Sequence, residues 1–363
     1  MTRPSYLEID LKAIQSNLGV AKKAAPNSKV LACIKANAYG HGSTEVATAL
    51  DDTADMFGVA SLDEALELRR AGVTTTPLLL EGCFTEEEWQ WSSELGFSAV
   101  IHNPEQLDCF LSLDLPKPIN IWLKLDSGMH RLGFDPKDFI DAYEQLAQND
   151  QCHSITLMSH FACSEEVENP FNTQQLESFL AATDELEAER SLANSAAILT
   201  RTDTHFDWVR PGYMLYGNSP MPNELPKDRK LTHAMGLYSQ VISIRNIEAG
   251  EGIGYNHAWR ADKASKIAVV AIGYGDGYPR NTKNGAPVLI DGKPAHTVGH
   301  IAMDLLHIDI THLDKAGSKI GIGSQVELWG PNLPASQVAE HSGLSGYELL
   351  TRLTTRLPRR YIS

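Results

Sequence analysis

The sequence predicts an α/β fold, with an N-terminal parallel (β/α)8 TIM-like barrel followed by a smaller, mainly antiparallel β domain. Three observations carry this prediction. Apolar runs alternate with amphipathic segments eight times within about 230 residues, the usual span of a closed parallel barrel. The length of 363 residues exceeds a single typical core, so two domains are the default. From residue 231 the texture changes to short β-rich runs punctuated by glycine turns. The domains are therefore set at 1–230 and 231–363. An open doubly wound sheet would show the same alternation, so periodicity alone leaves it standing as a rival.

The predicted barrel strands are Val30–Lys35, Phe57–Ala60, Pro77–Gly82, Ser98–His102, Ile119–Asp126, Ile155–Ala162, Ser191–Ala196 and Phe206–Arg210. Helix starts fall between them. Leu11, Ile14 and Leu18 share one helical face. Ser61-Leu-Asp-Glu64 and Thr85-Glu-Glu-Glu88 read as capping boxes. Asn103-Pro104 and Asp135-Pro136 set a capping side chain before proline at the first helical position. The segment Pro220–Arg229, rich in proline and charge, reads as a linker. Beyond it, Ser239–Ile247, Lys266–Ile272, Val288–Ile290 and Gln325–Leu328 read as strands, with one helix near Ser336–His341. Asp291-Gly292 is a tight-hairpin signal.

Composition excludes several functions. A net charge of −15 makes nucleic acid or an anionic membrane an unsuitable partner. Five scattered cysteines without a Cys-x-x-Cys pair point to reduced thiols in a cytoplasmic protein, and to neither a disulfide scaffold nor a metal site. Residues Met1–Asp10 show no basic stretch leading into an apolar run, and no apolar run is long enough to span a bilayer.

Polar residues gather where the predicted strands end. Val30-Leu-Ala-Cys-Ile-Lys35 is a buried-strand pattern closing on a lysine, and strand C-termini form the active-site mouth of a barrel. An amine held there, partly desolvated, can form a Schiff base. The plainer alternative is a surface lysine that ends a strand. The glycines of Tyr39-Gly40-His41-Gly42 tilt the balance, because they let backbone approach a ligand. Lys124 and Arg131 follow the fifth strand, His160 lies in the sixth, Ser195 in the seventh, and Arg210-Pro-Gly212 ends the eighth, where barrels often bind phosphate. A lone buried His or Arg is more often a satisfied structural group; four polar strand ends on one rim point to a shared site. In the second domain Gly252-Ile-Gly254-Tyr255 and Gly273-Tyr-Gly-Asp-Gly-Tyr278 do not fit a dinucleotide fingerprint and suit hairpin turns with packing tyrosines, Tyr278 more than Tyr255.

Taken together, Ile34-Lys35-Ala-Asn-Ala-Tyr39-Gly-His-Gly42, Lys124–Gly133, Asn194-Ser195-Ala196, Val209-Arg210-Pro-Gly212, Gly254-Tyr255 and Met303-Asp304 resemble the motif series of the alanine racemases, in the family's order and over nearly the whole chain. Phe206–Gly212 and Gly273–Pro279 are similar to the proteobacterial type. The resemblance implies a barrel plus β domain working as a head-to-tail homodimer. It also implies pyridoxal phosphate as cofactor, alanine as substrate, and a role in supplying D-alanine for peptidoglycan.

Residue by residue, the resemblance makes Lys35 the cofactor-bearing lysine and the base facing the D-alanine proton. Tyr255, from the partner's β domain, faces the L-alanine proton. Tyr39, Ser195 and the amides of Gly212 and Tyr213 cradle the phosphate. Arg131 and the amide of Met303 from the other chain hold the substrate carboxylate. Arg210 faces the pyridine nitrogen with His160 in support, and Lys124 takes the place of a carbamylated lysine that braces Arg131. Ser191 stands where many members have His, and Thr355 where some have Tyr. The alternatives are a racemase for another amino acid such as serine, a pyridoxal-phosphate decarboxylase, against which Arg210 and Tyr255 argue, and a carrier protein that would lack the last 130-odd residues.

Overall fold

The computed structural model describes residues 3–221 and 224–363. Strand β1 (Tyr6–Asp10) comes first, followed by the eight strands β2 (Lys29–Cys33), β3 (Met56–Val59), β4 (Pro77–Leu79), β5 (Ser98–Ile101), β6 (Ile119–Lys124), β7 (Cys152–Met158), β8 (Glu189–Asn194) and β9 (Trp208–Arg210). These eight pair in parallel and close, β9 returning to β2. Closure decides for the barrel over the doubly wound sheet.

The period of two along each strand sorts side chains between two cores. Leu31, Met56, Leu78, Val100, Trp122, Met158 and Trp208 point inward and fill the barrel, with the Trp122 and Trp208 rings 5.4 Å apart. Val30, Ala32 and Leu123 belong instead to the larger core under the helices. One step of two beyond the inner layer lie Cys33, Lys124, His160 and Arg210, all lining the upper mouth. Large apolar side chains plug the lower half, and polar ones succeed them at the top.

The strand ends are shorter than the side-chain pattern suggests. Lys35 lies two residues past β2 and His160 two past β7, because the ladder stops while the pattern continues. Local start chemistry holds at Thr85 and Asn103, whose side chains accept from Glu88 N and Gln106 N. Asp135 makes no such bond, and neither does Ser61.

The remaining strands are β10 (Met235–Ile247), β11 (Gly252–Ile253), β12 (Trp259–Arg260), β13 (Ser265–Val270), β14 (Pro287–Ile290), β15 (Lys293–Val298), β16 (Leu306–Asp309), β17 (Gln325–Trp329) and β18 (Arg359–Ile362). Strands β13-β16-β15-β14-β17-β10 run antiparallel, and β10 also pairs with β13, so these six close on themselves. At the β14–β15 hairpin, Asp291 (φ 47°) and Gly292 (φ 74°) take the positive φ that a two-residue turn of this kind demands.

One expectation is corrected here. β1 lies in the second sheet, antiparallel to β10 and parallel to β18, so the first strand of the chain is not part of the barrel region set at 1–230. Within the expected linker, Pro222 and Asn223 lie outside the described residues. The rest is folded, with a 3-10 turn over Pro226–Arg229 and a two-pronged Arg229–Glu224 ion pair at 2.7 Å. Besides the expected helix, found at Ala335–Glu340, the domain has helices at Thr311–Lys315 and Gly346–Thr351. No helix among the described residues is long and apolar enough to cross a membrane.

Candidate active site

A cavity of about 460 Å³ opens at the C-terminal mouth of the barrel. It brings together Lys35, Tyr39, Lys124, Arg131, His160, Ser195, Arg210, Gly212 and Tyr213 from five different strand ends. Tyr255 and Met303 do not line it. They stand 70% and 52% exposed on the β domain, Tyr255 at a second cavity with Tyr274, Arg280 and His300.

Lys35 begins an unusual turn. Ala36, Asn37, Ala38 and Tyr39 all have φ between 50° and 55°, a left-handed helical turn built from residues with side chains. Each costs roughly 1–2 kcal/mol relative to the right-handed form, so the turn must be held from outside. Ser43 N donates to Asn37 Oδ1 (2.9 Å), Gly42 N to Asn37 O (3.0 Å) and Arg359 Nε to Gly40 O (2.8 Å). The Tyr216 hydroxyl donates to Cys33 O (2.9 Å), and its ring stacks under Tyr39 at 4.8 Å. Burial drives His41 down to about 3, so its ring is neutral and donates through Nδ1 to Ala38 O or Tyr39 O. Gly40 and Gly42 admit the Leu350 carbonyl and the Tyr361 hydroxyl. They make room for the C-terminal segment of the chain, not for a ligand as their spacing suggested.

Arg210 is 4% exposed and has no acidic partner among the described residues. Its Nη1 donates to Ser191 Oγ (2.6 Å), and its Nη2 to the carbonyls of Ser159 and Leu192. Burial lowers its pKa to about 10, which leaves it charged at neutral pH. His160 Nδ1 lies 3.4 Å from Arg210 Nη2; burial, then Arg210 and three further cations, hold this imidazole well below its ordinary pKa, so it faces the guanidinium as a neutral acceptor. Ser191 has a definite task, since its hydroxyl accepts from Arg210 and donates to Trp208 O at 2.9 Å.

Arg131 rides on a loop closed by Phe134 N to Lys124 O (2.8 Å) and Asp126 N to Phe134 O (2.9 Å). Asp126 Oδ1 accepts from Gly128 N and His130 N, and Oδ2 meets His130 Nδ1 at 3.0 Å.

On the opposite wall, Ser195 Oγ accepts from Gly212 N (2.9 Å) and Met214 N (3.3 Å). A Cβ at Gly212 would stand 2.7 Å from the Tyr39 hydroxyl, so glycine brings this amide and that hydroxyl to one spot. Hydroxyls and amides converging beside four cations (Lys35, Lys124, Arg131, Arg210), with Glu81 the one carboxylate on the lining, suit a strongly anionic ligand.

Sequence reasoning missed Tyr347. It comes from the second domain, lines the cavity, and stacks on Tyr213 with centroids 3.8 Å apart and planes at 13°. Ser345-Gly-Tyr-Glu348 marks a helix start, and Ser345 Oγ does accept from Glu348 N, but nothing local tells where that helix docks. Thr355, in contrast, is exposed and outside the cavity. Tyr278 is fully buried and packs on Trp329 at 6.0 Å, a packing role as its setting suggested.

Comparison with known proteins gives concordant results. Residues 9–220 match the family model described as alanine racemase, N-terminal domain, and residues 234–361 match the C-terminal domain of the same family. The biosynthetic alanine racemase of Pseudomonas aeruginosa is 46% identical over 359 residues, 99% of each chain. Its crystal structure superposes with a TM-score of 0.97, covering 100% of both chains at 45% identity. The alanine racemase of Bartonella henselae, solved with covalently bound pyridoxal phosphate, superposes with a TM-score of 0.90 at 30% identity over 99% of each chain.

Proposed function

The chain belongs to the alanine racemase family, and from that premise we propose how its residues divide the work of carrying the α-proton of alanine from one face to the other. The reaction is the interconversion of L- and D-alanine, with pyridoxal phosphate as cofactor. When bound, the cofactor withdraws electrons from the α-carbon and makes its proton removable.

Lys35 holds the cofactor covalently and acts as the base on the face of the D-alanine proton. The hydroxyls of Tyr39 and Ser195 and the amides of Gly212 and Tyr213 take the phosphate, and the converging donor set and excess of cations fit a phosphate dianion. Arg210 would face the pyridine nitrogen of the bound cofactor. Because it remains charged, it would donate a hydrogen bond there and give up no proton, which would keep the electron sink weak and steer away from transamination. His160 orients Arg210. Arg131 binds the substrate carboxylate, braced by Lys124 in carbamylated form. An acidic residue in Arg210's place would favour decarboxylation chemistry, and the matched C-terminal domain argues against a barrel-only carrier.

Racemisation needs a proton removed on one face and another delivered on the other, so two opposed groups do better than one. The second is Tyr255 of the partner subunit, with the amide of Met303 of the partner subunit completing the carboxylate site in a homodimer. The observation that carries this reading is the gathering of nine predicted barrel residues around one cavity that lacks both β-domain residues.

Isotope exchange tests it. In Tyr255→Phe, racemisation should fall severely in both net directions. The α-proton of D-alanine should still exchange with deuterated solvent through Lys35, while exchange from L-alanine falls much further. Equal loss of both exchanges would mean that a single base serves both faces.

A further inference from the structure

Ser61-Leu-Asp-Glu64 has the spacing of a capping box, in which Glu64 would accept from the backbone of Ser61 at its own helix start. The structure shows something else. Ser61 makes no side-chain cap, and Glu64 reaches away from the helix Leu62–Arg70. Its Oε2 accepts from Ala60 N at 2.7 Å, just past the end of β3. Its Oε1 accepts from Ala36 N at 2.8 Å, 28 residues away.

Ala36 N belongs to the peptide bond that follows Lys35. The orientation of that peptide plane is the ψ angle of Lys35, and it is the first plane of the left-handed turn. We propose that Glu64 is a positioning residue: it pins the peptide plane after Lys35 against the end of the neighbouring strand and so aims the Lys35 amine into the cavity. This rests on Lys35 being the cofactor-bearing lysine.

Two features make the carboxylate suited to this task. It offers two acceptors and no donor, so both N–H groups are satisfied without a competing proton. It also lies in the first turn of its helix, where the axial dipole favours a negative charge. Ala36 is exposed, so water can satisfy its N–H once the carboxylate is gone. What the substitution removes is direction, not the existence of a hydrogen bond.

The experiment compares wild type, Glu64→Gln and Glu64→Ala as holoenzymes. In Glu64→Ala, kcat should fall about 10- to 100-fold while the KM for alanine changes by less than about threefold, the pattern of a displaced reacting group. The cofactor should dissociate about tenfold more readily, measured by titrating the resolved enzyme with pyridoxal phosphate. Hydrogen exchange should quicken at the amides of residues 36–42, with global unfolding little changed. Glu64→Gln keeps one acceptor and should fall between the two.

Wild-type kcat, cofactor affinity and exchange in Glu64→Ala would overturn the proposal. So would a loss of activity that follows thermal stability alone. Borohydride mapping of the wild type separates the two levels. Label on another lysine overturns the reading of Lys35 and this inference with it, whereas label on Lys35 with unaffected Glu64 variants overturns the inference alone.

Discussion

Lys124 shows how much of the site one residue's surroundings decide. It is 7% exposed, and burial, followed by the cations Arg210, Arg131 and Lys35, lowers its pKa to about 8 against a weaker opposing pull from Asp126. Three positive groups therefore crowd Lys124, and Arg131 forms no ion pair among the described residues. The ammonium first loses one proton to give the neutral amine; addition of that amine to carbon dioxide then forms the N–C bond, releases a second proton and leaves an anion where a cation stood. Since the amine is freed as pH rises through about 8, incorporation of 13C-labelled carbon dioxide at fixed dissolved concentration should rise between pH 7 and 9. A carbamate carbon signal should appear in the wild type and vanish in Lys124→Ala; no signal at any pH in the wild type would refute the modification. At this scale the sequence is informative where the step of two along a strand does the placing. Trp122 leads to Lys124 and Trp208 to Arg210. It was silent on Tyr347, whose place depends on packing against Tyr213 across the two domains.

Among the elements, all eight barrel strands were legible, because buried parallel strands are near-continuous apolar runs. Their ends were not, since apolar pattern outlasts the hydrogen-bond ladder at Lys35 and at Ser159–Ala162. β1 escaped notice because its partners, β10 and β18, lie more than 200 residues away, and five residues carry too little pattern alone. The Asp291-Gly292 turn was readable because its chemistry is local. The loop after β6 is an element of the same local kind, tied by Asp126 to Gly128 and His130 with Arg131 next in line. Asp126→Ala should loosen it and raise the KM for alanine about tenfold, from the loss of hydrogen bonds to a charged acceptor. Cofactor affinity should hardly move, because the residues proposed to take the phosphate sit on other strand ends. An unchanged KM would show that the loop is held by its Phe134 ladder alone.

For the molecule as a whole, the two domains are bound by more than their linker. β1 enters the second sheet before the barrel begins, and the helix Gly346–Thr351 returns to cover the Lys35 turn, its Leu350 carbonyl filling the space that Gly40 leaves. Each chain thus builds most of one site from its barrel and closes it with Tyr347. Tyr255 and Met303 remain exposed on its β domain, outside its own cavity. Division of the two bases between subunits is the central claim, and subunit mixing tests it most directly. Lys35→Ala and Tyr255→Phe homodimers should each be nearly inactive, since every site lacks one base. After random exchange of equal amounts, half the dimers are mixed, each with one complete site and one lacking both bases, so activity should recover to about a quarter of wild type. No recovery, with exchange verified by labelled subunits, would contradict a site shared between two chains.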